Sequence, residues 1–195
     1  MHQYFEKGSC LFGEGQKGTP LRLTEGLVML CADAQYRPIP IYLAKAGDVL
    51  GAETLFQSGY EWTAIAMTDV CLADLQANTG RSELLRESFK RQQSRMVEMI
   101  QMRTGRLAKR LSLFVHALIA SQPGLVGPIA RRDLPSLREM SIILDSAPES
   151  ICRELAHQPL VQAESESTEL PPSSSQRRSP NPTQAITAFT PVAWA

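Results

Sequence analysis

Apolar positions along the chain change their spacing near residue 80. Before it, short apolar stretches at residues 21–23, 27–31, 39–43, 63–67 and 70–75 are separated by glycines. Short strands at even spacing between glycine turns predict a small antiparallel barrel or roll. Nine of the twelve glycines fall in this part of the chain, which ends at Gly80. Beyond it, Leu85, Phe89, Gln92, Met96, Met99 and Arg103 follow one another in steps of four and three. That is a seam at helix spacing, apolar with polar breaks at Gln92 and Arg103. A second helix is predicted over residues 107–119, with Leu107, Leu111, Phe114, Val115 and Leu118 on one side. Gly124, Gly127 and Pro128 end it.

Residues 134–157, LPSLREMSIILDSAPESICRELAH, carry the chemistry. Leu137, Met140 and Ile143 or Leu144 make one short apolar face, and Asp145-Ser146 breaks it. Ser146 is expected to cap a new helix, with Pro148 in its first turn and Glu149 at capping-box spacing. Ile151 and Leu155 are its buried side. Two short helices joined by a tight turn predict a helix-turn-helix, whose second helix enters the major groove by its N-terminal half. The outward residues there are Pro148, Glu149, Ser150 and Arg153. Glu149 and Arg153 are four apart and share a face. An arginine can donate to guanine O6 and N7, and a glutamate can accept from cytosine N4. Arg138, with Arg131 and Arg132 just before the first helix, is a candidate phosphate contact. The competing reading is an ordinary helical hairpin with an exposed Glu–Arg pair.

Charge divides the chain at the same place. Residues 1–80 hold five basic and nine acidic side chains, whereas residues 81–155 hold thirteen and eight. Zero net charge therefore conceals a basic second half suited to a polyanion, although a solvated helix surface carries such an excess too. No apolar run approaches the ~18 residues that a membrane helix needs, and the polar, aromatic residues 1–7 do not read as a signal peptide. Cys10, Cys31, Cys71 and Cys152 lie far apart without a CxxC or zinc spacing. They are expected to be small buried groups in a reducing cytoplasm, with no metal and no cofactor. His2, His116 and His157 are scattered, and GxSxG, HExxH and phosphate-loop patterns are missing, which argues against an enzyme. The segment from about Gln162 onward, rich in proline and serine, is expected to be disordered.

The ordered series of glycine-rich roll, helical seam, TGRLAKRLSLF helix and REMSIILDSAPESICREL resembles the CRP/FNR family of bacterial transcription regulators. Glu149, Ser150, Ile151 and Arg153 match the family's Ser/Arg-Glu-Thr-Val-x-Arg reading-helix pattern, and Thr104 to Ala108 resemble the first helix of its DNA-binding domain. The turns Lys7-Gly8, Glu14-Gly15, Glu25-Gly26, Gly47-Asp48 and Leu50-Gly51 fall where the family has its own. The resemblance implies an α+β chain. Residues 1–80 would form an antiparallel β-roll, cupin-like and similar to cyclic-nucleotide-binding domains. Residues 81–103 would form a long dimerisation helix, 104–161 a helix-turn-helix domain with a truncated winged helix, and 162–195 the tail. It further implies a homodimer on a palindromic operator in double-stranded DNA, with RNA polymerase and a small-molecule effector as further partners.

Several positions depart from that pattern. Where cyclic-nucleotide-binding members have the glutamate that holds the ribose, this chain has Ala52, or Glu53 after a one-residue slip. Trp62 occupies the place of the arginine that holds the phosphate. A buried phosphate without its guanidinium would be an uncompensated charge. An effector, if one binds, is therefore not cyclic AMP, and Trp62 instead closes the pocket. Cys10 alone cannot supply an iron–sulfur cluster. Arg91 and Arg95 lie near where relatives meet their effector. Either they bind a small acid or they are solvated arginines on a helix flank. Asp145 stands where the turn usually has glycine, a left-handed position that aspartate adopts at some cost. Only Leu160-Val161 is apolar where a wing would begin, so the wing is expected to be missing. These departures keep a second reading open: a degenerate sensing or oligomerisation module without specific DNA binding.

Overall fold

Eight short strands come first: β1 (His2–Phe5), β2 (Cys10–Phe12), β3 (Leu21–Glu25), β4 (Leu27–Ala32), β5 (Ile39–Lys45), β6 (Val49–Leu50), β7 (Thr63–Ala66) and β8 (Val70–Asp74). They form two four-stranded antiparallel sheets in the orders β1-β8-β3-β6 and β2-β7-β4-β5. The computed structural model describes residues 2–32, 37–75, 80–122, 124 and 127–162, all within one compact unit, Met1–Glu164. The expected disorder of the tail beyond Gln162 lies outside the described residues. Strands β3, β4, β5, β7 and β8 form on the five apolar stretches. β1, β2 and β6 are two to four residues long, too short for a pattern to show.

One core lies between the sheets: Phe12, Leu21, Leu23, Val28, Leu30, Tyr42, Leu50, Tyr60, Val70 and Leu72 are all buried there. A second core lies outside it. In β4 the side chains alternate, as strand geometry requires. Val28 and Leu30 enter the roll, while Leu27, Met29 and Cys31 face out and are equally buried. They pack, with Leu43 and Met67, against the helices that follow. Burial on both faces explains why β4 reads LVMLCA without a polar position.

The helical part comprises α1 (Arg81–Arg103), α2 (Leu107–Ser121), α3 (Leu137–Leu144) and α4 (Pro148–Leu155). Leu111, Phe114, Val115 and Leu118 of α2 are fully buried in the shared core, as their spacing predicts. None of the described helices is long and apolar enough to cross a membrane. Two-residue strands β9 (Ile129–Ala130) and β10 (Val161–Gln162) pair in parallel. A two-residue strand thus forms at Val161–Gln162, where the wing was expected to be missing, and the chain after it lies outside the described residues.

Two readings of the sequence are corrected. The seam on α1 is rotated from its expected face. Met99 is 3% exposed against the chain's own core, and Leu85 packs beside Val49, Ala52 and Leu84. Of the expected seam Phe89 does face outward, at 61% exposure, but its apolar companions there are Val97 and Ile100, at 54% and 60%. The chain's own core claims the face carrying Leu84, Ser88, Met99 and Met102. The cysteines also differ from expectation: Cys31 and Cys71 are buried, but Cys10 is exposed and Cys152 half-buried.

Candidate nucleic-acid interface

Helix α3 starts with a capping box. The Ser136 hydroxyl accepts from the Glu139 amide at 3.2 Å, and Glu139 Oε2 accepts from the Ser136 amide at 2.7 Å. Met140, Ile143 and Leu144 form its buried face. The chain then turns through Asp145, at φ 48° and ψ 52°, the left-handed conformation. It is the one non-glycine residue with positive φ among the described residues. The capping box expected at Ser146 does not form. Pro148 occupies the first position of α4, its fixed φ suiting that place, so the cap falls on Ala147. Ser146 Oγ instead accepts from Arg110 Nη2 at 2.9 Å.

Two arginines hold this turn, and neither was legible as such in the sequence. Arg110 Nη1 donates to the Leu144 carbonyl at 2.7 Å, while its buried Nε has no partner. Arg103, expected as a polar break in the seam, donates to the Ile142 carbonyl at 3.0 Å and pairs with Asp145 at 3.5 Å. Cations at the C-terminal carbonyls of α3 complement its dipole, and the Asp145 pair offsets some of the backbone strain there. Arg37, at the edge of the roll, lies 3.9 Å from the same carboxylate. No local pattern could reveal contacts that span 34 to 39 residues.

Helix α4 presents the residues picked out from the sequence. Ile151 and Leu155 are 0% and 3% exposed in the shared core, whereas Pro148, Glu149 and Arg153 are exposed and Ser150 is half-buried. Arg138 on α3, Arg131 and Arg132 are exposed. Arg131 bends toward α4 and donates to Cys152 Sγ at 3.2 Å. The exposed side of α4 therefore carries a glutamate and an arginine one turn away, with Arg131 held beside it through Cys152. Lys7 Nζ ties this unit to the roll through the Leu134 carbonyl at 2.7 Å.

Inside the roll the surroundings do not suit an anionic nucleotide. Ala52 is 8% exposed and has no charged atom to offer. Glu53, the slipped alternative, accepts from the Glu61 amide at 3.2 Å. Trp62 packs, partly buried, against the roll core. Tyr60 stacks on Phe12 with ring centroids 3.7 Å apart and donates to the Thr19 carbonyl. Its ring lies so close over Gly18 and Gly51 that a Cβ on either would overlap it. Burial raises the Tyr42 hydroxyl well above the ordinary tyrosine value, and the charges of Glu53, Asp48 and Glu61 raise it further. These residues do not fit a cyclic phosphate.

Arg91 and Arg95 are both engaged in ion pairs within the protein, Arg95 largely buried at 15% side-chain exposure and Arg91 partly in solvent at 41%. Arg95 Nε donates to Asp48 Oδ2 at 2.7 Å and its Nη2 to Oδ1 at 3.3 Å. Arg91 lies 3.6 Å from the same carboxylate. Burial would lower the Arg95 guanidinium, but hydrogen bonds and charge from Asp48, with Glu98, outweigh it and raise it. Lys45–Glu98 at 2.6 Å and Arg22–Glu87 at 3.4 Å extend the seam along α1.

No protein-family model matches the chain, and no curated protein matches it. Solved structures do. A CRP-family transcriptional regulator from Thermus thermophilus is 26% identical, with a TM-score of 0.62 over 80% of this chain and 83% of that one. A second regulator from that organism, of the CRP/FNR family, is 21% identical, with a TM-score of 0.57 over 80% and 84%. FixK2 from Bradyrhizobium japonicum is 16% identical, with a TM-score of 0.60 over 80% and 83%.

Proposed function

We propose that this chain, a divergent CRP/FNR-like protein with the fold of those transcriptional regulators, is a sequence-specific DNA-binding regulator that grips a palindromic operator as a homodimer. The observation that carries the reading is the surface of α4. Its inner side is sealed by Ile151 and Leu155, which leaves Glu149 and Arg153 as the groove-facing pair, with Pro148 and Ser150 beside them. Arg153 reads a guanine, Glu149 accepts from a cytosine, and Arg131, Arg132 and Arg138 contact phosphates. The homodimer is supported by Phe89, Val97 and Ile100, an apolar stripe facing away from the chain's own core. A two-fold mate covers such a stripe on both copies at once. RNA polymerase is the partner a promoter-bound regulator would meet next.

The test is selection from a random duplex library, followed by titration of the selected site and of bulk DNA. Preference for a palindromic site, with a steep salt dependence, is the expected result. If no duplex is preferred over bulk DNA, the alternative reading stands: a regulator-like oligomerisation module that no longer binds specifically.

A further inference from the structure

The contact between α1 and the roll is ionic at its centre. Leu84 and Ser88 are buried near the start of the helix and Met99 and Met102 near its end. From Phe89 to Glu98 no side chain of α1 is fully buried. What faces the roll there is Arg91, Arg95 and Glu98, with Met96 half-buried. Opposite them stands Asp48, whose side chain is 5% exposed. The turn fixes this carboxylate: Lys45 donates its backbone N–H to Oδ2 at 2.9 Å, and the Asp48 carbonyl accepts from the Leu23 amide at 2.9 Å. Both oxygens then take the fork of Arg95, the bidentate geometry that guanidinium and carboxylate favour. A buried pair of this kind tolerates its partner and punishes its loss, because the remaining charge is left uncompensated.

We propose that Asp48 is the positioning residue that sets α1 against the roll, a built-in anion at a seam whose arginines would otherwise require a bound one. The position of α1 is passed on through Arg103, which holds the Ile142 carbonyl and Asp145, and through Met99 and Met102 in the core shared with Ile143 and Leu144. The helix-turn-helix is thereby presented without a small-molecule anion. The DNA arm of the test rests on the regulator reading above, whereas the helix-position arm does not.

The experiment uses the full chain as parent, Asp48→Ala and Asp48→Asn. Formate is the probe, because it is the carboxylate that Asp48→Ala removes, and chloride at matched ionic strength is the control. Hydrogen exchange over residues 87–98 should accelerate by about tenfold or more in both variants, with exchange in α2 unchanged. Formate, but not chloride, should slow it again and raise the melting temperature in Asp48→Ala. It should do neither in Asp48→Asn, where the amide fills the space, nor in the parent. If the parent binds DNA, Asp48→Ala should bind about tenfold or more weakly and recover with formate. Unchanged exchange in both variants would overturn the proposal, as would formate acting alike on all three proteins. DNA affinity unaltered in both variants would overturn the link to the helix-turn-helix. Should Asp48→Ala not fold, Asp48→Asn still decides through exchange and affinity. A parent that binds no DNA refutes the regulator reading and leaves the exchange and formate results to judge Asp48 alone.

Discussion

Arg110 and Leu144 are joined by a 2.7 Å hydrogen bond from a guanidinium on α2 to the last carbonyl of α3. The same guanidinium reaches Ser146 two residues later, so one side chain spans the turn that aims α4. Arg110→Met keeps the aliphatic packing and removes these bonds together with a longer one, 3.5 Å, to the Arg103 carbonyl. It should cost about 1.5–3 kcal/mol, the usual range for hydrogen bonds to a charged group, less what is regained from the unpartnered Nε. Urea unfolding of parent and variant measures it. Arg110→Lys should recover little, since one ammonium cannot copy the fork.

Arg153→Ala should weaken binding to the selected site by about tenfold to a hundredfold and leave nonspecific affinity nearly intact. Arg132→Ala and Arg138→Ala should lower affinity alike on every sequence and flatten the salt dependence. Titrating both classes on selected and random duplexes separates them. An equal loss on both duplexes for Arg153→Ala would make that residue a backbone contact.

Ile100→Glu and Phe89→Glu place charge on the outward stripe of α1. They should convert a dimer to a folded monomer in light scattering, because both side chains are mostly exposed in the single chain. Met99→Glu, one residue away and buried, should instead unfold the protein.

Calorimetry with cyclic AMP or cyclic GMP should give no specific heat. The resemblance to cyclic-nucleotide-binding members sets Ala52 at the ribose position and Trp62 at the phosphate position, and Glu53 is engaged with the Glu61 amide. Micromolar affinity for either nucleotide would show that another arginine had taken over.

Hydrogen bonding from Arg22, reinforced by the charges of Arg22 and Arg91, holds the Glu87 carboxyl below its ordinary value. A carboxylate depressed in the folded state stabilises fully above its unfolded value and loses that contribution as pH falls through the folded one. The difference in urea midpoint between parent and Glu87→Gln should therefore be largest near neutral pH. It should shrink below about pH 4, as the carboxylate becomes protonated in both states. The effect should be small, because Glu87 is partly in solvent.

What could be read beforehand follows the range of each interaction. Strands β3 to β5, β7 and β8, the face of α2 and the outward set on α4 are fixed by periods of two and 3.6, and local spacing shows them. The cap of α4 falls one residue later than the Ser146–Glu149 interval suggests, because Pro148 decides where the helix begins. The seam on α1 was rotated because Met96 and Met99 look alike in sequence and only the roll distinguishes their faces. Arg103, Arg110 and Asp48 do not show in the sequence as structural groups, since each finds a partner across 34 to 47 residues. A charge with a distant partner looks the same in sequence as a solvated one.

Strand β4 has a consequence for how such a protein could be rebuilt or recombined. Leu27, Met29 and Cys31 belong to the roll by covalent order and to the helical half by packing. The two halves therefore cannot be exchanged as cassettes. A graft of another reading head onto this roll would have to bring side chains that fit those three, and a roll expressed alone would show them to water as a sticky ridge. Substitution at the helix-turn-helix end is freest on the outer surface of α4, where Glu149 and Arg153 are exposed and lie outside the core that β4 shares with the helices.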